Sequence, residues 1–502
     1  MAQISVSNLS FSYDGSVDTV FENTSFCIDT NWKLGFVGRN GKGKTTFLNL
    51  LLGRYSYYGE INTPVTFDYF PYSLSSEQKQ ACAQEWMQQI KPNSEFWRAS
   101  CELMKMNADS ELLLQPFAHL SGGEQTKVLL SILFSGEQDF LLIDEPTNHL
   151  DQETRDCVKR YLQEKRGFIL VSHDRDLLDC CVDHILALNK KSIEIQQGNF
   201  SSWWENKLRN DNFQLAENTK HMKEIVSLRE SARRYDQWGH NSEKQKIGKN
   251  PVKDHDRSPG ARAYIGAKTK KLQRQKKQLE YRIDKEIKAK EGLLQDIEEV
   301  VPLKLHPLAY NKDTLLSCNH LSVCYGDRTV VKDLSFVVHR EDRVFLHGKN
   351  GCGKTSLIKA ICSDFSDGLK IQKGNLYIGS NLTISYIQQD TSWMKGDIYN
   401  FCKDCGLDKS LFLAILYQLG VDRDIFSKRL EHLSPGQKKK VLIASSLATQ
   451  AHLYIWDEPL NFIDVFTRMQ IEDVLMDYKP TMIVVEHDIS FENKIATKVL
   501  SL

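Results

Sequence analysis

A chain of 502 residues is too long for one hydrophobic core, so two or more domains are expected. Apolar residues make up 41% and charged residues 26%, a balance that excludes an extensively disordered chain. The 65 Lys+Arg and 65 Asp+Glu cancel, which taken alone argues against a nucleic-acid partner.

Other classes fall away quickly. No apolar run approaches the roughly 18–20 residues of a membrane span. The start, Met1-Ala-Gln-Ile-Ser-Val6, lacks the charged and apolar regions of a secretory signal. Twelve scattered cysteines then read as reduced thiols of a cytoplasmic protein. Cys402-Lys-Asp-Cys405 has no second pair to complete a zinc site.

In chain order, the short apolar strand Leu34-Gly-Phe-Val37 leads into a Gly-rich loop, Gly38-Arg-Asn40-Gly41-Lys-Gly43-Lys44-Thr45-Thr46, and then a helix. Phe140-Leu-Leu-Ile143 and Phe168-Ile-Leu-Val171 have the length and apolar continuity of parallel strands buried on both faces. The pattern then returns. Gly348-Lys-Asn350-Gly351-Cys-Gly353-Lys354-Thr355-Ser356 repeats the loop at an offset of 310. Leu120-Ser121-Gly122-Gly123-Glu124 returns as Leu433-Ser434-Pro435-Gly436-Gln437, an offset of 313. Asp144-Glu145-Pro146 returns as Asp457-Glu458-Pro459, Asp151 as Asp464 and His173 as His487. The expected fold is therefore α/β: two P-loop nucleotide-binding cassettes, residues 1–200 and 312–502, with a linker at 201–311.

The chemistry follows from residue types. Both loops have the spacing GxxxxGK[ST]: glycines let backbone N–H groups curl around phosphate, the lysine reaches the terminal phosphates, and the hydroxyl of Thr45 or Thr355 ligates Mg²⁺. Asp144 and Asp457, each ending an apolar strand, face that Mg²⁺. Glu145 and Glu458 are placed to orient or deprotonate the attacking water.

These motifs resemble ABC ATPases. Leu120-Ser-Gly-Gly-Glu124 looks like the family's signature, Asn148-His-Leu-Asp151 and Asn461-Phe-Ile-Asp464 like its D-loop, and His173 and His487 like its switch histidines. The resemblance implies an ATPase whose cassettes close head to tail within one monomer. Lys44 would then work opposite Ser434 and Gly436, and Lys354 opposite Ser121 and Gly123. Tyr13 and Tyr325, 25 and 23 residues before the loops, resemble the adenine-stacking aromatic. Gln389 in Tyr386-Ile-Gln-Gln389 matches the family's Q-loop glutamine, which binds nucleotide and metal. Its partner in Tyr69-Phe-Pro-Tyr72 is a tyrosine, which weakens the metal contact expected at site one. Pro435 replaces a signature glycine and removes one N–H donor, so unequal hydrolysis at the two sites is expected.

The linker breaks the charge balance. Residues 207–290 hold 23 Lys+Arg against 11 Asp+Glu, about +12, which leaves about −12 on the remainder. Leu208, Leu215 and Met222 recur by sevens, as do Leu272, Leu279, Leu293 and Val300, which suggests an antiparallel helical hairpin. Its tip, about 236–266, is broken by Gly239, Gly248, Pro251, Pro259, Gly260 and Gly266 and reads as an irregular loop. There Trp238, Lys244, Lys246, Lys249, Arg257, Arg262 and Tyr264 are candidate RNA contacts, since cations suit phosphates and aromatics suit unstacked bases. A solvated coiled linker is the alternative.

This layout resembles ABC-F proteins, and Trp456-Asp-Glu-Pro-Leu-Asn461 with the long tip looks most like their Lsa/Vga-type ribosome-protection subgroup. The resemblance implies ATP and Mg²⁺ as cofactors. It implies the bacterial ribosome as partner, at its exit site, with the tip reaching 23S rRNA and shifting the P-site tRNA. Displacement of lincosamides, pleuromutilins or streptogramin A compounds would follow, and hydrolysis would release the protein. A housekeeping factor for stalled ribosomes uses the same parts. A tandem ATPase subunit of an importer is the remaining alternative, but it has no use for a basic hairpin.

Overall fold

A computed structural model describes residues 2–244 and 303–502 apart from 16–18, 93, 137–138, 149, 189–192, 327, 350 and 364–367; between 245 and 302 it describes Arg274, Lys277, Gln278, Tyr281, Arg282, Ile283 and Lys285. Two compact units result, one formed by Met1–Trp203 with Val301–Leu502 and the other by Trp204–Val300.

Both cassettes use one plan. In the first, the strand Gln3–Ser12 pairs antiparallel with Thr19–Asp29 and Tyr58–Asn62. A second sheet runs in the order Thr66–Phe70, Asp139–Asp144, Phe168–Val171, Lys33–Val37, His184–Leu188 and Ile193–Gln197, parallel except for its last strand. The helix Lys44–Leu51 lies between these sheets and buries Phe47, Leu48, Leu50 and Leu51 against apolar residues of both. Phe47 meets Phe21, Phe26 and Phe36 with ring centroids 6.0, 5.8 and 5.5 Å away, so the helix that begins at the Gly-rich loop is clamped from each side.

The second cassette repeats this. Thr314–Tyr325 pairs with Arg328–His339 and Leu369–Ile378, and a five-stranded parallel sheet runs Ile384–Ile387, Leu453–Asp457, Met482–Val485, Arg343–His347, Lys498–Ser501. Parallel strands covered on both faces explain the uninterrupted apolar runs read from the sequence. The first strand of each sheet is followed by short helices, among them Ala83–Ile90 and Phe96–Lys105 in one copy and Ile398–Asp404 and Lys409–Gln418 in the other. Leu303, Leu305 and Tyr310 are buried in the second cassette's cores, so this cassette starts ahead of residue 312.

The linker departs from its sequence reading in two ways. One helix, Phe200–Lys244, runs through Gly239, so the irregular tip does not begin at 236. A single interior glycine costs about 1 kcal/mol, too little to end so long a helix. Secondly, Leu208, Leu215 and Met222 are exposed, whereas the better-covered face carries Lys207, Asp211, Gln214, Asn218, His221 and Glu224, with Ile225 buried. Apolar spacing alone does not reveal which helix face is covered. The described helical residues of the second stretch include the buried Ile283. Lys246, Lys249, Arg257, Arg262 and Tyr264 lie outside the described residues, as do the side chains of Trp238 and Lys244.

Candidate active sites between the two cassettes

Each Gly-rich loop joins a buried strand to its helix through a glycine in the left-handed region, Gly43 and Gly353, both at φ 105°. A Cβ at Gly43 would meet the Val20 side chain at 2.5 Å, so only glycine fits that position. The loop lysines are buried and fold back onto carbonyls. Lys44 Nζ donates to Gly38 O at 2.6 Å and to Asn40 Oδ1 at 3.2 Å, and Lys354 Nζ to Gly348 O at 2.7 Å and Lys349 O at 3.1 Å. Burial pulls the Lys44 ammonium below its ordinary range, against the nearby Asp464, Glu145 and Asp144.

At site one the second cassette reaches in. Asn40 Nδ2 donates to Phe462 O at 2.7 Å, and Asn40 N lies 3.5 Å from Asp464 Oδ2. A Cβ on Gly436 would lie 2.6 Å from Phe462 O and 3.3 Å from Asn40 Nδ2, which places the second signature against the first Gly-rich loop. Both signature helices start alike: Ser121 caps Gly122–Leu133 in a capping box with Glu124, and Ser434 caps Pro435–Ala448 with Gln437. Pro435 is the first helical residue, where a missing N–H removes only a donor the helix does not use.

Asp144 Oδ2 accepts from Thr45 Oγ1 at 3.3 Å and from the Tyr69 hydroxyl at 3.1 Å. Tyr72, which aligns with Gln389, instead donates to Asp68 Oδ2 at 2.6 Å. The tyrosine beside the site-one carboxylate is therefore Tyr69, three residues before the position that spacing indicates. His173 Nε2 lies 3.3 Å from Glu145 Oε1. Burial, with Asp144 alongside, pushes the Glu145 carboxyl up to about 8, and burial, with Lys44 and Arg468, takes His173 well below its ordinary value. Tyr13 shares a 2.5 Å hydrogen bond with Thr46 Oγ1.

Site two encloses a cavity of about 670 Å³, lined by Tyr325, Lys354, Thr355, Gln389, Glu458 and His487 of its own cassette and by Arg155 of the other. Asn350 lies outside the described residues. Glu458 Oε2 accepts from Gln389 Nε2 and Asn461 Nδ2, each at 2.7 Å. Both Asp457 carboxylate oxygens are buried with no hydrogen-bond partner among the described residues, and burial pushes the carboxyl up to about 6. Such an orphaned carboxylate, beside the Thr355 hydroxyl and the Gln389 amide, fits a hard divalent cation such as Mg²⁺. Burial and the cations Arg155 and Lys354 take His487 down to about 4.

Both catalytic-position glutamates sit in the left-handed region, Glu145 at φ 51° and Glu458 at φ 47°. Non-glycine residues held there carry backbone strain, which is common at functional sites.

Several residues that serve the sites were not legible as such in sequence. Arg155 and Arg468 each follow a D-loop aspartate by four residues, and that repeated spacing is the signal that could have exposed them. Arg155 donates across to His487 O at 3.2 Å, whereas the buried Arg468 pairs with Asp488 of its own cassette at 2.9 Å. The cassettes are also joined by the ion pairs Arg175–Glu472, with Glu472 wholly buried, and Lys349–Glu153. Ser121 caps its helix and Gly123 lies in its first turn, and the described contacts of cassette one with site two include Arg155 and Glu153.

The ABC transporter family model matches residues 21–148 and 331–461. The ATP-binding protein Uup of Buchnera aphidicola is 27% identical, with 99% of this chain and 80% of that protein covered. The ribosome protection protein VmlR of Bacillus subtilis is 25% identical over 96% and 84%. The energy-dependent translational throttle protein EttA of Haemophilus influenzae is 26% identical over 93% and 86%. Among solved structures, an archaeal ribosome recycling factor, aABCE1, solved with the stalk protein aP1, superposes with a TM-score of 0.61 at 17% identity, covering 98% of this chain and 87% of that one. At that identity the likeness speaks for the fold. With both Gly-rich loops, both signatures and both acidic strand ends in place, the chain belongs to the ABC transporter family as a two-cassette ATPase.

Proposed function

We propose that this chain is an ATP-dependent ribosome-protection factor that binds the ribosomal exit site in its ATP form. From there its basic linker reaches 23S rRNA and the P-site tRNA, and antibiotics of the lincosamide, pleuromutilin and streptogramin A classes are displaced. The observation that carries this is charge segregation: 23 Lys+Arg against 11 Asp+Glu between residues 207 and 290, in a segment that joins two cassettes with a shared interface. A cation excess that large suits a polyanionic partner. The likeness to VmlR, a ribosome protection protein, over 96% of the chain supports the same reading.

Within it, the Gly-rich loops and the loop lysines hold phosphate, and Tyr13 and Tyr325 face the adenine. Thr45 and Asp144 at site one, and Thr355, Asp457 and Gln389 at site two, would hold Mg²⁺, which would supply charge neutralisation at the phosphate oxygens. Glu458, aimed by two amide donors, and Glu145, beside His173, accept the proton of the attacking water. Ser434 and Gly436 present a helix N-terminus to the γ-phosphate at site one. ATP therefore favours the closed pair of cassettes, and hydrolysis releases the protein.

The test is cosedimentation. The Glu145→Gln/Glu458→Gln double variant should remain on ribosomes in ATP. Pelleting with membranes while ribosomes stay bare would sink the proposal in favour of the importer reading. The likeness to EttA favours a second reading, a factor acting on translation without drugs. Inhibitory concentrations for the three drug classes, with and without the gene, separate these: unchanged values select the second. Deleting 240–260 should remove drug protection and spare ATPase activity.

A further inference from the structure

The two sites treat their metal-facing aspartate differently, in the donors that reach it. Tyr69 and Tyr386 occupy the same register: Tyr69 pairs with Leu142 and Tyr386 with Ile455, each two residues before the strand-end aspartate. At site two neither Asp457 oxygen has a hydrogen-bond partner of good geometry among the described residues, the Thr355 hydroxyl lying nearby, so the Tyr386 hydroxyl does not bond it. At site one the Tyr69 hydroxyl reaches Asp144 Oδ2 at 3.1 Å, and Thr45 takes the same oxygen at 3.3 Å. The Tyr69 ring is held from the side by Arg54, whose guanidinium carbon lies 5.4 Å from its centroid. Arg54 is itself held by Asn49 Oδ1 at 3.0 Å. Site one also lacks an amide in the Q-loop position, where Tyr72 stands and donates to Asp68 instead.

Hydrogen bonds from a phenol to an ionised carboxylate are among the strong ones, and here both groups are partly buried. Asp144 Oδ2 already accepts from Tyr69 and Thr45, so a divalent cation drawn to that oxygen competes with both donors. We propose that the Tyr69 hydroxyl competes with the divalent cation for Asp144, so that site one holds metal-nucleotide with a weaker metal bond than site two. Tyr69 is then a positioning residue that sets the metal requirement of site one. This rests on the reading of site one as a Mg²⁺·ATP site.

The probe is Mn²⁺ with a non-hydrolysable ATP analogue, titrated by electron paramagnetic resonance on the full chain. A Lys354→Ala background silences site two. There Tyr69→Phe and Tyr69→Met, both lacking the hydroxyl, should tighten Mn²⁺ about tenfold, with the metal-free melting temperature slightly lowered because the bond is lost from the metal-free state. In a Lys44→Ala background, Tyr386→Phe should leave site-two affinity within about twofold. Mn²⁺ affinity that is unchanged or weaker on loss of the Tyr69 hydroxyl overturns the proposal alone. If neither the Lys354→Ala protein nor its Tyr69 variants bind Mn²⁺ with nucleotide, the site-one reading itself falls, and the proposal with it.

Discussion

The two nucleotide sites are built from duplicated motifs but are not equivalent. At site one the second cassette's Phe462 and Gly436 lie against the Asn40 side chain, and Asp144 is already engaged by Thr45 and Tyr69. Site two keeps a cavity of about 670 Å³, an Asp457 whose carboxylate oxygens have no hydrogen-bond partner among the described residues, and a glutamate aimed by Gln389 and Asn461. The contrast extends beyond the sites. Arg175 of the first cassette pairs with the buried Glu472 of the second. Pseudo-symmetry puts Ile489 and Lys159 at the mirrored positions, and these two cannot make an ion pair. Lys159 instead pairs within its own cassette with Asp176. Duplicated motifs therefore guarantee two similar pockets, while residues between the motifs decide how each one works.

The largest expected effect tests which site turns over. Glu458→Gln should lower steady-state ATPase activity on the order of a hundredfold or more, the range for loss of a positioned general base. Glu145→Gln should lower it only a few-fold, because site one has no Q-loop amide and its aspartate is engaged by Tyr69. Equal losses in single-turnover hydrolysis would break the comparison.

A smaller effect concerns the one-sided ion pair. Removing one partner of a buried pair usually costs 3–5 kcal/mol, but Lys494, 3.2 Å from Glu472, still offsets the carboxylate. Arg175→Ala should therefore destabilise the paired cassettes by about 2 kcal/mol in urea unfolding. Ile489→Ala, at the mirrored position and more than a third exposed, should cost less than about 0.5 kcal/mol. Similar costs would mean that the interface is symmetric after all.

The smallest effect tests where the asymmetry does not come from. Ser121 and Ser434 both complete capping boxes, with Glu124 and Gln437. Ser121→Ala and Ser434→Ala should each cost about 1 kcal/mol, and by the same amount, measured by thermal unfolding without nucleotide. A much larger cost for Ser434→Ala would show that Pro435 has weakened that helix start.

Much of this molecule was legible before its coordinates. The repeat of loop, signature, acidic strand end, D-loop aspartate and histidine defined two α/β cassettes, because phosphate chemistry demands those residue types at those spacings. Pro435 occupies the first helical position, so the helix start is intact and the missing N–H is one a phosphate rather than the helix would use. The linker's charge was countable, but its covered face was not, since Leu208, Leu215 and Met222 follow a seven-residue spacing yet are exposed.

What the sequence determined by itself, then, is local and covalent: which loops can wrap phosphate, which strand ends carry acids, and where the cations concentrate. Tertiary structure alone decided the pairings over long separations. Tyr69 rather than Tyr72 reaches Asp144 because Tyr69 lies in the strand Thr66–Phe70, paired beside Asp139–Asp144, whereas Tyr72 lies beyond that strand's end. Arg155 reaches the other cassette's His487, and Arg175 its Glu472, because two cassettes built alike meet face to face. A contact across more than 290 residues of chain leaves no periodic trace in the sequence, and so the difference between the two sites became visible only in the folded pair.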